Sequence, residues 1–213
     1  MKKFTPKQRI NWIAKTGIIA AAAIILMFFE FPLPLMPGFL KFDLSEVPVL
    51  LAAFALGPWS AVIIELIKNL AHYPLSATFG VGEIANFVIG CAFVVPAGII
   101  YRFHRNKKTA ILSMAVGTIS MTLVGCIANY YVLIPFYIMV IGFPLDTIVG
   151  MTNGVGNTLV KDLMTLIVFV FAPFNLFKGT IISLIVALVY KRLSPLIHKE
   201  FIKGQKSNCE IKG

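Results

Sequence analysis

Asn175 and Lys178 are the first residues whose chemistry demands an explanation. They stand three positions apart, so on a helix the amide and the ammonium share one face. Both lie inside the apolar run Leu163–Tyr190, LMTLIVFVFAPFNLFKGTIISLIVALVY, in which Lys178 is the sole formal charge. The run exceeds the roughly 20 residues that cross a bilayer core. An ammonium near its middle costs about 3 kcal/mol on insertion scales unless it meets a partner or a wet cavity. One reading is a structural ion pair or a lysine that snorkels to the interface. The other is a polar site buried in a membrane bundle and built around Asn175 and Lys178; the distance of Lys178 from either end of the run favours it. Pro173 just upstream removes a backbone hydrogen bond and is expected to bend the helix.

Three further stripes carry polar groups through apolar sequence. Glu65, Lys68, Asn69 and His72 follow i, i+3, i+4, i+7 spacing on one helix face, where Glu65 and Lys68 can neutralise each other. Glu83, Asn86 and Gly90 share a second face, and Thr118, Thr122, Gly125 and Asn129 a third, suited to interhelical hydrogen bonds. An intramembrane acid or base from Glu65, His72 or Asp162 is conceivable. The sequence has no GxxxxGK[ST], HExxH or GxSxG motif and no His/carboxylate cluster with metal spacing. No catalytic residue, metal or cofactor is therefore assigned, and any uphill transport must draw its energy from a partner or an ion gradient.

The elements that position these groups are membrane helices. Of the 213 residues, 58% are hydrophobic and 13% charged, with a mean hydropathy of +0.88, which excludes an ordinary soluble domain. The chain is expected to be a single all-α integral membrane domain over residues 1–213, multi-pass in a cytoplasmic membrane. The excess of 19 Lys and Arg over 9 Asp and Glu clusters just outside the apolar runs, a positive-inside pattern rather than a nucleic-acid surface. Three cysteines, Cys91, Cys126 and Cys209, form no framework, so no disulfide is expected. The basic start (Lys2, Lys3, Lys7, Arg9, Lys15) before an apolar run suggests an uncleaved first helix rather than a removable leader.

The first span is read as Ala14–Phe31, with Gly17 and Ala21 in small-xxx-small spacing that allows another helix to come close; spacing alone favours an internal neighbour. The prolines of Phe31–Pro37 end it. Ser45, followed by Glu46 and Pro48, is expected to cap the next helix. Val47–Leu56 and Trp59–Tyr73, broken at Gly57–Pro58, form a short pair, followed by spans Val81–Tyr101, Ala110–Met139 and Leu163–Tyr190. With the basic N-terminus (1–13), the Arg102–Lys108 loop and the tail (194–213, with Lys191, Arg192, Lys199 and Lys203 near it) all inside, the count gives six transmembrane segments over 14–193 and both termini cytoplasmic. Loops 32–43, 74–82 and 142–161 then face outward. The last is either a lid or a solvated connector, and its glycine-rich Gly150–Gly156 is a poor phosphate cradle. The polar stripes converge in the outer half above an apolar floor, which describes a pocket open to the exterior. Phe39, Phe42, Tyr130, Tyr131, Phe174 and Phe177 are candidates for its walls.

The order of proline loop, FLKFDLSEVPVLLAAFALGP (Phe39–Pro58), ELIKNLAH (Glu65–His72), ANYY (Ala128–Tyr131) and NLFKG (Asn175–Gly179) closely resembles the riboflavin-binding S components of energy-coupling factor (ECF) transporters. The likeness runs to about Leu193. It implies a six-helix bundle of the ECF S-component type and an outward vitamin pocket closed by the first loop. The implied partners are a transmembrane coupling subunit and two cytosolic ATPases, with Ala14, Gly17 and Ala21 docking on the coupling subunit. The resemblance also implies that Asn129, Asn175 and Lys178 hydrogen-bond the polar edge of the isoalloxazine ring and that Asp43 and Leu44 lie over the ligand. Lys68 is added as the ribityl contact. Two alternatives stand beside this: another vitamin (thiamine, biotin or folate), of which cationic thiamine is disfavoured by Lys178, or a small intramembrane enzyme.

Overall fold

A computed structural model describes the backbone of residues 5–76 and 78–209 and the side chains within 5–76 and 78–190. Lys2 and Lys3, and the side chains of Lys191, Arg192, Lys199, Lys203 and Cys209, lie outside the described residues. The described residues form seven helices: α1 (Pro6–Phe28), α2 (Glu46–Ala55), α3 (Pro58–His72), α4 (Val81–Phe103), α5 (Lys107–Ile141), α6 (Leu145–Gly154) and α7 (Leu163–Tyr190, its helical backbone continuing to Cys209). Four of these, α1, α4, α5 and α7, are long and apolar enough to cross a membrane. Two short strands, β1 (Phe31–Pro32) and β2 (Lys41–Phe42), pair antiparallel in the loop after α1.

Local chemistry explains the boundaries. Thr5 and Gln8 form a reciprocal capping box, and Pro6 occupies a first-turn position where no N–H is needed, so α1 starts eight residues before Ala14 (14 − 6). Gly57, at φ +104°, turns the chain between α2 and α3 as the Gly57–Pro58 pair predicts. Ser45 stands at the N-cap position of α2 as expected, but it is itself helical and does not cap with its side chain; its hydroxyl instead accepts from Lys68 Nζ at 2.9 Å. Loop 142–161 is also not structureless, since it holds α6, which buries Ile148, Val149 and Thr152.

Pro173 acts differently from a simple bend. A wide, π-type turn over Ile167–Phe171 precedes it in α7, and the Phe169 carbonyl, to which proline has no N–H to return, accepts Asn157 Nδ2 at 3.2 Å. Two such turns, Asn129–Leu133 and Tyr137–Ile141, flank Pro135 in α5.

Helices α4 and α5 make the most extensive pair; α5 also packs on α7, and α3 on both α4 and α1. One apolar cluster joins α1, α2, α3, α4, α5 and α7 and reaches the Arg102–Lys108 end, where the hydroxyls of Tyr101 and Tyr190 meet at 2.7 Å. A second, with Ile134, Ile148, Val160, Leu166 and Val170, fastens α6 to the opposite end. The α4–α5 approach depends on Gly117: a Cβ there would stand 2.6 Å from the Phe93 carbonyl. Gly117→Ala is expected to cost about 1–3 kcal/mol through overpacking, read as a lowered melting temperature in detergent.

Candidate functional site

The late halves of α1, α3 and α5 and the early halves of α4 and α7 all end on the side away from the Arg102–Lys108 loop, and a cavity of about 270 Å³ opens there. That is near the lower end of the ~300–1,000 Å³ usual for small-molecule clefts. Met27, Phe39, Leu40, Met121, Leu133, Tyr137, Phe171 and Phe174 supply flat, apolar wall; Glu30, Lys41, Asp43, His72, Glu83, Asn86, Asn129, Asn175 and Lys178 supply polar groups.

Lys178 resolves the opening question in both directions. Its ammonium donates to Asp43 Oδ2 at 2.7 Å, and both side chains are almost fully buried, so the ion pair is real. Lys178 also lines the cavity. An ammonium has three donors, so the bond to Asp43 leaves others to point inward. The second oxygen of Asp43 accepts the Ser45 N–H at 2.8 Å. Burial by itself would raise the Asp43 pKa; the ammoniums of Lys178 and Lys68, with these hydrogen bonds, hold it well below the usual carboxylate range.

Asn129 and Asn175 are prepared in the same manner. Asn129 Nδ2 donates to the Gly125 carbonyl at 2.7 Å, and Asn175 Nδ2 to the Phe171 carbonyl at 2.8 Å. A carbonyl can only accept, so these bonds fix which end of each amide is oxygen. Each keeps its Oδ1 and one N–H for a guest. Asn86 Nδ2 donates to Asn69 Oδ1 at 2.9 Å, linking the cavity wall to α3.

At the mouth, His72 lies between two acids. Its Nδ1 is 3.2 Å from Glu83 Oε1 and its Nε2 3.6 Å from Glu30 Oε1. Glu30 also pairs with Lys41 of β2, and Ser76 Oγ donates to Glu83 Oε2 at 2.6 Å. The first loop and the α3–α4 connection are thereby tied to the same histidine.

Of the residues singled out from sequence, Asp43, Asn129, Asn175 and Lys178 come together at the cavity, while Lys68 and Leu44 are not in its lining. Lys68 sits instead among other side chains. It is fully buried, with Nζ hydrogen-bonded to Ser45 Oγ and, at 2.5 Å, to Glu46, and ion-paired with Glu65 at 3.1 Å. Glu65 fits because Gly90 has no side chain; a Cβ there would lie 2.5 Å from Glu65 Oε2. Leu44 is half-buried beside Asp43. Among the aromatics, Phe39 and Phe174 line the cavity, Phe42 packs on Phe31 and Phe177, and Tyr131 is exposed. Sequence reasoning missed Glu30, Tyr137 and Phe171. Glu30 had a usable signal, an acid closing an apolar span; the other two look like any lipid-facing aromatic.

Groups of this kind can hold a flat heteroaromatic molecule by its faces and read one polar edge with amides and an ammonium.

Three comparisons bear on this geometry. Residues 11–190 match the family model described as ECF transporter, substrate-specific component. The chain is 37% identical to the riboflavin transporter RibU of Staphylococcus aureus (strain TCH60) over 183 residues, 86% of this chain and 90% of the relative. It is 28% identical to the riboflavin transporter FmnP of Bacillus subtilis (strain 168) over 195 residues, 90% and 96% of the two chains. A solved S component of a bacterial ECF transporter superposes with a TM-score of 0.70 at 34% identity, covering 89% of this chain and 99% of that one.

Breaking the buried pair from one side leaves a charge unpartnered. Asp43→Asn is expected to cost about 3–5 kcal/mol, measured by thermal unfolding without ligand. Because the folded-state pKa of Asp43 is depressed, the pair's contribution is complete above the unfolded value and is lost as pH falls through the folded one. The melting difference between wild type and D43N should therefore stay constant from pH 7 to about pH 5 and shrink only in stronger acid.

Proposed function

Because the chain belongs to the substrate-specific components of ECF transporters, we propose that its cavity captures riboflavin from outside the cell and releases it inward with the help of an energy-coupling module. It is a transport component and not an enzyme, in keeping with its family. The observation that carries the ligand assignment is the convergence of Asn129, Asn175 and Lys178 on a cavity also lined by Phe39, Phe171 and Phe174, in a chain whose relatives are named riboflavin transporters. The isoalloxazine ring has two carbonyls flanking an imide N–H. Two amides, each with a free oxygen and a free N–H, together with an ammonium, answer that pattern.

The roles follow from placement. Asn129, Asn175 and Lys178 take the imide edge; Phe39, Phe171 and Phe174 take the ring faces; Asp43 holds Lys178 and, with Phe39 to Lys41, closes the first loop over the ligand. Leu44 lies over the ligand only through the backbone it shares with Asp43. The ribityl hydroxyls go to the mouth, where Glu30, His72, Glu83 and Asn86 offer acceptors and donors.

Six helices, α1 to α5 and α7, are placed in a bacterial cytoplasmic membrane, with α6 on the outer face and both termini inside. The basic loop between α4 and α5, at the end remote from the cavity, supports that orientation. The partners are a transmembrane coupling subunit and two cytosolic ATPases. Ala14, Gly17 and Ala21 are exposed on α1, while Thr16, Ala20 and Ala23 face inward, so the small-residue face is free to receive the coupling subunit. The relatives do not favour thiamine, biotin or folate. The electrostatic argument against thiamine loses its force, since Asp43 neutralises Lys178.

Detergent-purified protein should carry flavin absorbance or quench riboflavin fluorescence at micromolar ligand, and thiamine, biotin and folate should fail to compete. Asn175→Ala and Lys178→Ala should each weaken binding by about tenfold or more. Protein that leaves riboflavin fluorescence unchanged defeats the assignment.

A further inference from the structure

Gly125 is buried on α5, one turn before Asn129, and it touches both amides of the proposed imide-binding wall. Its carbonyl accepts Asn129 Nδ2 at 2.7 Å. A Cβ built on it would lie 2.7 Å from Asn175 Nδ2, 3.0 Å from Cγ and 3.3 Å from Oδ1, so the Asn175 amide fills the space a side chain would need. The three nearest atoms that the Cβ would meet all belong to Asn175. The Asn175 amide cannot give way cheaply: it is buried, and its Nδ2 is held at 2.8 Å by the Phe171 carbonyl. Gly125 stands inside regular α-helix with an ordinary negative φ. Backbone freedom therefore does not require glycine here; the missing side chain does.

We infer that Gly125 is a specificity-determining positioning residue, whose missing side chain seats the Asn175 amide where it reads the ligand's imide edge. The inference rests on the riboflavin reading above. It differs from ordinary close packing of helices, because the neighbour that a larger residue would displace is a ligand-reading side chain and not backbone. Gly117 is the contrast: its Cβ would meet the Phe93 carbonyl, so enlarging it strains the α4–α5 contact whatever the ligand. Gly125→Ala keeps the carbonyl that orients Asn129, so its effect should pass through Asn175 alone.

A double-mutant cycle tests this, with riboflavin affinity by fluorescence quenching and ligand-free melting temperature measured on wild type, G125A, N175A and the double variant. Gly125→Ala should weaken riboflavin binding by about tenfold or more in the wild-type background. It should change neither affinity nor melting temperature in the N175A background, where the obstructed amide is gone. If G125A alone fails to fold, recovery of folding in the double variant supports the same contact, and failure of both overturns it. Wild-type affinity in G125A, or equal losses in both backgrounds, also overturns the inference while leaving the riboflavin reading intact. Wild-type protein that does not quench riboflavin removes the reading itself, and this inference with it.

Discussion

A charge left unpaired in hydrocarbon is too costly to keep, and the contact between Lys178 of α7 and Asp43 of the first loop is where this chain meets that constraint. The two residues are 135 positions apart in sequence. Their pairing draws the loop down onto the last helix and makes it the cover of the cavity. From Asp43 the polar contacts continue through the Ser45 N–H to the Ser45 hydroxyl, Lys68, Glu46 and Glu65, and then through Asn69 to Asn86. The chain of contacts begins at one wall of the cavity and returns to another. Few other arrangements would let so many ionisable groups sit among apolar helices.

The cavity is polar only where polarity has been prepared. Each wall amide spends one N–H on the carbonyl four residues before it; each keeps its oxygen for a guest. The same stretches of α5 and α7 carry wide turns next to Pro135 and Pro173, so the backbone departs from regular helix where Asn129, Leu133, Tyr137 and Phe171 line the cavity. Below this region the interior is apolar and closely packed, with Phe54, Tyr101 and Tyr190 in mutual contact. That apolar floor lies between the cavity and the Arg102–Lys108 end of the bundle.

Glycine serves two ends in the same bundle. At Gly117 it lets α4 and α5 approach; at Gly90 and Gly125 it makes room for the polar side chains Glu65 and Asn175. Absence of a side chain is thus as much a part of the polar network as the charges are. In lipid, where water cannot fill a gap or satisfy a group, both requirements bear on the same few positions.

The membrane class, the long spans, the Gly57–Pro58 break and the polar pair Asn175 and Lys178 inside an apolar run were all legible in sequence, because each follows from local composition: apolar length, a turn dipeptide, or a charge with no local partner. The stripes Glu65–His72 and Thr118–Asn129 were visible as faces, since helical periodicity alone defines a face. What periodicity could not decide was which face meets which. Lys68 looks like Lys178 in sequence, yet one is enclosed by Ser45, Glu46 and Glu65 and the other opens on the cavity. Ser45 looks like a helix cap and serves as an acceptor for a lysine 23 residues away. Helix α6 and the walls Tyr137 and Phe171 were hidden because an aromatic in an apolar run reads the same toward lipid, core or ligand. Composition and period are properties of a segment, whereas the partner of a charge and the lining of a cavity depend on distances between segments, which only the packed bundle sets.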